Sequence, residues 1–292
     1  MNIKKTIAAL LALCLLLGGA TGALAAGANG AWRHILLLGT DSRTTQQESR
    51  TDTMIILSVN ADTGAVKLAS IMRDVWVDVP GHGGAKLNAA CVYGGPTLTV
   101  QCIEESFDVD IDAYVLVNMQ CLAAIVDALG GIRMDVSDSD AAAINKLFAD
   151  DRNANDENTY FADDNVTAGE QVLLNGKQAL AFARIRSQDD DSARTGRQRE
   201  LLVTIARQLQ QKDLLSLAGI LSGMMQYVET DLELDDIMTI AGVCMNANLD
   251  AMEELRLPVE GTYQAGTFNG TWCIQPDFAA NIDALNRFYG GE

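Results

Sequence analysis

Histidine is nearly absent. His34 and His82 are the only two in 292 residues, and they stand in unrelated settings. No Gly-x-Ser-x-Gly elbow accompanies them, which argues against a Ser–His hydrolase and against a zinc enzyme. A P-loop and a dinucleotide-binding glycine fingerprint are missing too. Lysine is scarce, with seven against fourteen arginines. Lys and Arg total 21 against 39 Asp and Glu, a net charge of −18, so the surface will not attract nucleic acid non-specifically. None of the six cysteines forms a Cys-x-x-Cys pair, the spacing of a thiolate metal site. No internal repeat is found. An apolar content of 48% with 21% charged residues is ordinary for a globular chain with a sizeable core.

The first 31 residues have targeting character. Lys4 and Lys5 are followed by no charged residue until Arg33, and Ile7 to Leu17 is an apolar core. Ala23-Leu24-Ala25 fits a signal-peptidase site. Retained instead, the segment is long enough to anchor the chain, with Lys4 and Lys5 holding its N-terminus in the cytoplasm. Residues 1–31 therefore read as a signal peptide or membrane anchor, and 32–292 as an extracytoplasmic domain. The product is held on the outer face of the cell membrane, or secreted if the leader is cleaved. Removing the leader takes the net charge from −18 to −20 by deleting Lys4 and Lys5. Cys14 follows the bulky Leu13, which argues against a lipoprotein site. Cys91, Cys102, Cys121, Cys244 and Cys273 remain. Export permits disulfides, but burial as small hydrophobes fits the odd count equally well.

Along the domain, His34–Leu38 reads as a buried strand. Thr53–Val59 and Val66–Ile71 read as a hairpin around the turn Asn60–Gly64. Val75–Val79 is a further strand. Gly81 to Gly95 reads as a loop region, and Pro96 suits the first turn of a helix to about Phe107. Strands at 114–117 and 132–136 flank a helix at 121–129 that ends at Gly130-Gly131. From Asp135 to Asp164 nine acidic residues face two basic ones. A short helix near 141–148 fits there, and the rest reads as a solvated excursion. Asn175–Phe182 is helical and Ala183–Ile185 a brief strand. Helices at 195–211, 214–227 and 234–246 follow, then strands near 255–259 and 271–274 and a helix from Asp277. The class is α/β or mixed α+β, a mostly antiparallel or mixed sheet covered by helices.

Five arginines, Arg184, Arg186, Arg194, Arg197 and Arg199, fall within sixteen residues of this acidic chain. The guanidinium fork matches phosphate and carboxylate oxygens, so the cluster reads as an anion site rather than solubilising charge. In an extended segment Arg184 and Arg186 share a face, and Arg194, Arg197 and Gln198 share a helix face. Asp191 suits the N-cap of that helix or a role in the site. Salt bridges to Asp189, Asp190 and Glu200 are the simpler alternative for the arginines. A second constellation is Asp41 in Gly39-Thr-Asp-Ser-Arg43 with Asp52 in Arg50-Thr-Asp-Thr-Met54. If their strands are neighbours, the two carboxylates meet at one sheet edge and suit Mg2+, though aspartate at strand ends also makes turns. A third element is Ser70-Ile-Met-Arg73-Asp74, whose simpler reading is an ion pair. Further on come Lys86-Leu-Asn88 and Tyr93-Gly-Gly95.

In this order, these pieces resemble the LytR-CpsA-Psr family of bacterial cell-wall enzymes. They are LLLGTDSR (36–43), RTDTM (50–54), SIMRD (70–74), VPGHGGAKLNAACVYGG (79–95), VDALGGI (126–132), LNGKQALAFARIR (174–186) and DSARTGRQRE (191–200), a motif core of 35–202. The resemblance implies an exported phosphotransferase. It would move a glycopolymer, a teichoic acid or capsular polysaccharide, from a polyprenyl pyrophosphate carrier to peptidoglycan through a phosphodiester. It also implies an apolar pocket between sheet and helices for the polyprenyl tail. Asp41 and Asp52 match the family's Mg2+ positions, with Mn2+ a possible substitute. Arg73, Arg184, Arg186, Arg194 and Gln198 match its pyrophosphate-binding residues, Asp191 a further acidic position there, and Arg43 and Arg197 lie in the same motifs. The catalytic set so implied is Asp41, Asp52, Arg73, Asp191 and Arg194, with Asp52 or Asp191 as base. The third motif departs from the family, with Met72 where proline usually precedes the arginine. Two rivals stand beside this expectation: a lipid pyrophosphate hydrolase with water as acceptor, and a non-catalytic regulator that binds polyprenyl phosphate or wall polymer.

Overall fold

A computed structural model describes residues 32–40, 49–153, 165–185, 253–268 and 270–290, with separate positions between 197 and 243. These residues divide into two compact units, 32–119 with 227–290, and 120–224. The first unit begins with β1 (Trp32–Thr40), β2 (Thr51–Asn60), β3 (Ala65–Ile71), β4 (Trp76–Val79) and β5 (Gly83–Lys86). A 3-10 turn (Leu87–Ala89), α1 (Ala90–Phe107) and β6 (Ala113–Val117) follow. The second unit holds α2 (Met119–Ala128), β7 (Ile132–Val136), α3 (Asp138–Asn153), β8 (Gly169–Leu174) and α4 (Gly176–Arg184). The chain then returns to the first unit with β9 (Val228–Thr230), β10 (Glu253–Leu257), β11 (Tyr263–Phe268), β12 (Thr271–Pro276) and α5 (Phe278–Phe288).

The first unit is built on a six-stranded mixed sheet in the order β10-β3-β2-β1-β6-β9. Pairing is antiparallel for β1–β2, β2–β3 and β6–β9 and parallel for β1–β6 and β3–β10. This is the mixed α+β class expected. β2 is buried along almost its whole length because it sits inside the sheet with both faces covered, which is why its sequence is a continuous apolar run instead of an alternation. The Asn60 side chain accepts the N–H groups of Asp62 and Thr63, both at 3.0 Å. Gly64 supplies a φ of +69°. That turn chemistry closes the β2–β3 hairpin and sets its register. On one face, Leu36, Leu38, Met54, Ile56, Ala69 and Ile71 join Ile103 and Phe107 of α1 and Leu285 of α5 in a single buried cluster.

The region expected as a loop from Gly81 to Gly95 is more ordered than its glycines suggest. β5 pairs with β4 in a second hairpin, and helix begins at Ala90. Gly94 and Gly95 break that helix, Gly95 at φ +71°, and Pro96 restarts it. Its missing N–H costs nothing at a first turn. In the second unit, α3 is twice the length expected and takes up much of the acidic excursion. Asp138 and Asp140 lie in its first turn, where the helix dipole favours them. Ala183 and Arg184 continue α4 instead of forming a strand, and Ile185 is its C-cap. β5, β8, β9 and β11 were not anticipated. Each is short, glycine-bearing or polar, and is specified by its partner more than by its own pattern. Cys91, Cys102 and Cys273 are buried free thiols, Cys121 is buried too, and burial pushes the Cys102 thiol up to about 11. Cys244 and residues 1–31, the segment expected as a signal peptide or anchor, lie outside the described residues. Among those described, no helix is long and apolar enough to cross a membrane.

Gly176 opens α4 where that helix meets α2. A β-carbon there would lie 2.1 Å from the carbonyl oxygen of Ala123. The Gly176 N–H donates to Asp127 at 2.7 Å, and a capping box between Asn175 and Gln178 fixes the helix start. Backbone cannot yield as a flexible side chain would. Gly176→Ala should therefore lower unfolding free energy by about 1–3 kcal/mol, read from denaturant midpoints.

A polar row closes the core face of the sheet. His34, Ser58 and Lys67 stand level on β1, β2 and β3. The C-terminus of α5 covers them. His34 Nδ1 lies 2.7 Å from Ser58 Oγ, which donates to Tyr289 Oη at 2.9 Å. Lys67 Nζ donates to the Phe288 carbonyl at 2.6 Å, and Trp32 Nε1 to the Tyr289 carbonyl at 3.1 Å. Burial pushes the Tyr289 hydroxyl up to about 12. It also holds His34 below its ordinary 6.5, against the opposing pull of Asp112 and Asp110. A histidine with a depressed folded pKa binds fewer protons folded than unfolded in the window below 6.5. Its stability contribution is complete above that window and lost as pH falls through it. Tm should therefore be lower at pH 5 than at pH 7.5, with a smaller difference in His34→Gln, as calorimetry would show.

Candidate functional site

Asp52 is the second residue of β2, and Arg73 follows the end of β3. The hairpin register, with Ile55 opposite Ser70, carried three residues on brings Asp52 level with Arg73. The side chains meet there: Arg73 Nη1 donates to Asp52 Oδ1 at 2.8 Å. Arg73 Nε lies 3.5 Å from Asp74 Oδ2, and Lys86 Nζ donates to Asp74 Oδ1 at 2.8 Å. Lys86 also sits 5.7 Å from the ring centre of Trp272. The result is an alternating line, Asp52–Arg73–Asp74–Lys86, ending on an indole. Burial alone would lower the Arg73 pKa, but its bond to Asp52 and the charges of Asp52 and Asp74 outweigh that and raise it. Arg73 is a permanent cation, and its side chain is 47% exposed.

The backbone under Arg73 is held from both sides. Its carbonyl accepts the Asn88 N–H at 3.2 Å, and Leu87 N–H donates to Val75 at 2.7 Å. Met72, where the family usually has proline, donates its own N–H to the Leu257 carbonyl at 2.9 Å. Proline has no such donor. A hydrogen bond to β10 thus does in this chain the orienting work that a ring would do elsewhere.

Three side-chain oxygens in the same segments have no partner among the described residues. Thr51 Oγ1, Asn88 Oδ1 and Ser49 Oγ are buried without a hydrogen bond. Thr51 precedes Asp52, and the Asn88 backbone binds the Arg73 carbonyl. Buried polar atoms are normally satisfied, so such orphans point to a water, ion or ligand. The Asp52 carboxylate is itself an oxygen donor, the kind that a hard cation such as Mg2+ prefers. The donor chemistry fits the ion expected at Asp52. No cluster of three acidic, histidine or cysteine ligands occurs among the described residues. Asp41, the second expected ligand, lies outside them.

The remaining predicted residues divide as follows. Asp41, Arg43, Arg186, Asp191, Arg194 and Gln198 lie outside the described residues. Arg184 is the last residue of α4 and is exposed. It does not lie in a strand as expected, because the helix runs through it. Arg197 is partly buried: it donates to the Ile185 carbonyl at 2.9 Å and pairs with Asp140 at 3.5 Å. Those contacts steady the C-cap of α4. The neighbouring Glu200 has its pKa raised by burial and by the charges of Asp135 and Asp140. Sequence reasoning read Asp74 as an ion-pair partner of Arg73 and singled out Lys86-Leu-Asn88 without assigning it a role. It missed Thr51 and Trp272, which carry no motif signal.

A match to the LytR_cpsA_psr family spans residues 26–283. The chain is 34% identical over 232 residues to "Polyisoprenyl-teichoic acid--peptidoglycan teichoic acid transferase TagU" of Halalkalibacterium halodurans, covering 78% of this chain and 70% of that protein. The protein of the same name in Oceanobacillus iheyensis is 34% identical over 250 residues, covering 82% and 69%. A solved structure of TagT bound to LI-WTA is similar at 25% identity with a TM-score of 0.62, covering 91% of this chain and 92% of that one.

The Asp52–Arg73 pair is about half exposed on both sides, and such pairs contribute little to folding, roughly 0.2–1 kcal/mol. Asp52→Asn should accordingly leave the denaturant midpoint almost unchanged. A large loss of stability would make the pair structural and not functional.

Proposed function

The chain belongs to the LytR-CpsA-Psr family, and from that premise we propose that it is a transferase moving a glycopolymer from a polyisoprenyl pyrophosphate carrier onto peptidoglycan. The observation that carries this reading is the Asp52–Arg73 pair, fixed by strand register at exposed strand ends in a chain 34% identical to named transferases over most of its length. The reaction in this reading is an in-line displacement at the sugar-bearing phosphorus. A peptidoglycan hydroxyl forms the new P–O bond, and the bond to the polyisoprenyl phosphate breaks. The carrier leaves as its monophosphate, and the product is a phosphodiester.

Charge accumulates on non-bridging oxygens during such a transfer. Fixed cationic forks are the means of stabilising it without reorganisation. Arg73 is suited to this because Asp52 and Asp74 hold its fork in place before substrate arrives. Arg43, Arg184, Arg186, Arg194, Arg197 and Gln198 are assigned to the pyrophosphate with it. Mg2+ or Mn2+ at Asp41 and Asp52 would supply Lewis-acid neutralisation of the phosphoryl oxygens. Asp52 and Asp191 are the two candidates for accepting the hydroxyl proton. The leader is proposed to hold the enzyme at the outer membrane face, where carrier lipid and wall meet, with the lipid tail in an apolar pocket.

Purified protein should transfer a labelled glycopolymer from its polyprenyl pyrophosphate to peptidoglycan oligomers in the presence of Mg2+. Asp52→Asn should lower kcat/KM by about 10²–10³, the loss typical of removing one transition-state interaction. Carrier release at the same rate without acceptor would replace the transferase with a hydrolase. Full complementation of a deletion strain by Asp52→Asn would leave only a binding role.

A further inference from the structure

The line Asp52–Arg73–Asp74–Lys86 ends on a surface to which no role has been assigned. Trp76 and Lys86 are cross-strand partners in the β4–β5 hairpin, so their side chains share a face. Asp78 projects from the same side, two residues along β4, whereas Val77 and Val79 on the other side are buried. Trp76 lies over Gly84: a β-carbon there would meet the indole at 2.8 Å. Only glycine leaves room for the ring in this position. Trp272 joins at the other end through Lys86, whose ammonium is 5.7 Å from its ring centre. Trp272 is 49% exposed. At the turn end of the hairpin, His82 and Tyr93 stack at 4.5 Å with planes 8° apart, and Tyr93 is 46% exposed.

Large aromatic side chains are costly to leave in water and seldom gather there without a partner. Tyr93 and Trp272 are two of the three large hydrophobic side chains exposed among the described residues, and both border this hairpin. The rings are also held: Trp76 by its seat on Gly84, Trp272 by the Lys86 ammonium, and Tyr93 by the His82 stack. Rigid aromatic faces flanked by hydrogen-bonding groups fit the apolar C–H faces and hydroxyl rims of pyranose rings. β5 is four residues, roughly 13 Å long, which is room for a few sugar units.

We propose that the face carrying Trp76, Lys86 and Trp272 is a glycan-binding subsite, and that it takes the uncharged amino-sugar backbone of the peptidoglycan acceptor. The charges select this occupant over the polyanionic donor polymer. Lys86 is neutralised by Asp74, and Asp78 adds a negative charge on the same face. A chain of phosphates would be repelled there, whereas a neutral N-acetylated glycan would not. Continuity through Asp74 to Arg73 and Asp52 places an acceptor bound here beside the proposed phosphoryl-transfer residues. The subsite thus deepens the transferase reading and rests on it for its biological role, though its ability to bind glycan does not.

The test is a titration of the full chain with chitotetraose, a neutral N-acetylglucosamine oligomer, followed by the three tryptophan indole N–H signals in nuclear magnetic resonance. Trp32 is the internal control, because its indole donates to Tyr289 on the far row of the sheet. The Trp76 and Trp272 signals should move and the Trp32 signal should stay. Trp272→Ala should weaken binding at least about tenfold, as loss of a central aromatic anchor does, while Trp272→Phe should stay within about threefold of the parent. An unmoved Trp32 signal in both variants verifies that the fold survives. Unchanged affinity in Trp272→Ala, or movement of Trp32 alone, overturns the subsite. Tighter binding of a poly(glycerol phosphate) fragment than of chitotetraose overturns the choice of occupant. If chitotetraose binds as expected but no polymer is transferred from the lipid-linked donor, the transferase reading fails and the subsite stands.

Discussion

The register of the β2–β3 hairpin is the constraint on which the rest depends. With Ile55 opposite Ser70, the strand ends bring Asp52 to Arg73 at 2.8 Å. A slip of one residue would reverse the faces of the whole strand, burying polar groups in the apolar cluster and parting the ion pair. Two things prevent it. The Asn60 side chain and Gly64 fix the turn, and the core face of β2, Met54 and Ile56, is locked against Leu36, Leu38, Ala69 and Ile71. The same register sets Ser58 beside Lys67, and the β1–β2 pairing adds His34, for the C-terminus of α5 to cover. One hairpin thereby sets both the functional edge and the clamp that closes the unit.

A division of labour follows within the first unit. The sheet and α1 supply burial, and the edge residues can stay half exposed because folding does not rely on them. Asp52 and Arg73 hold each other in water, where an ion pair contributes little stability but keeps a guanidinium aimed. Orphaned oxygens at Thr51 and Asn88 show the converse. They are buried without a hydrogen bond among the described residues, and buried polar atoms are normally satisfied. The hairpin of β4 and β5 extends the edge into an aromatic face, so one short stretch, from Arg73 to Tyr93, carries charge recognition and a glycan surface together.

Much of this was legible in the residues. The apolar runs gave the central strands, Asn60 to Gly64 gave the turn, and Asp277 gave the cap of α5, because each signal is local and the physics acting on it is local too. The paired occurrence of Asp52 and Arg73 in short motifs marked them as candidates. Other features were hidden. β8, β9 and β11 have weak patterns of their own and exist because a neighbouring strand offers hydrogen bonds. α3 looked like a solvated acidic tract because charge density masked its helical register. Arg184 looked extended because the run Ala-Arg-Ile-Arg alternates in polarity, yet the capping box at Asn175 commits the segment to helix from its other end. Trp272 gave no signal, since its importance comes from Lys86, distant in sequence.

The sequence by itself determined the residue chemistry: an acidic, lysine-poor chain with an arginine cluster and paired aspartates in short motifs, and through those motifs the family. These follow from composition and order, which do not change on folding. Only the tertiary structure decided which charges meet. It joined Asp52 to Arg73, turned Met72 into a backbone anchor on Leu257, gave Arg197 to the C-cap of α4 and set Trp272 over Lys86. Each of these contacts spans residues whose separation in sequence carries no information about distance, and only packing and strand register bring them within a few ångströms.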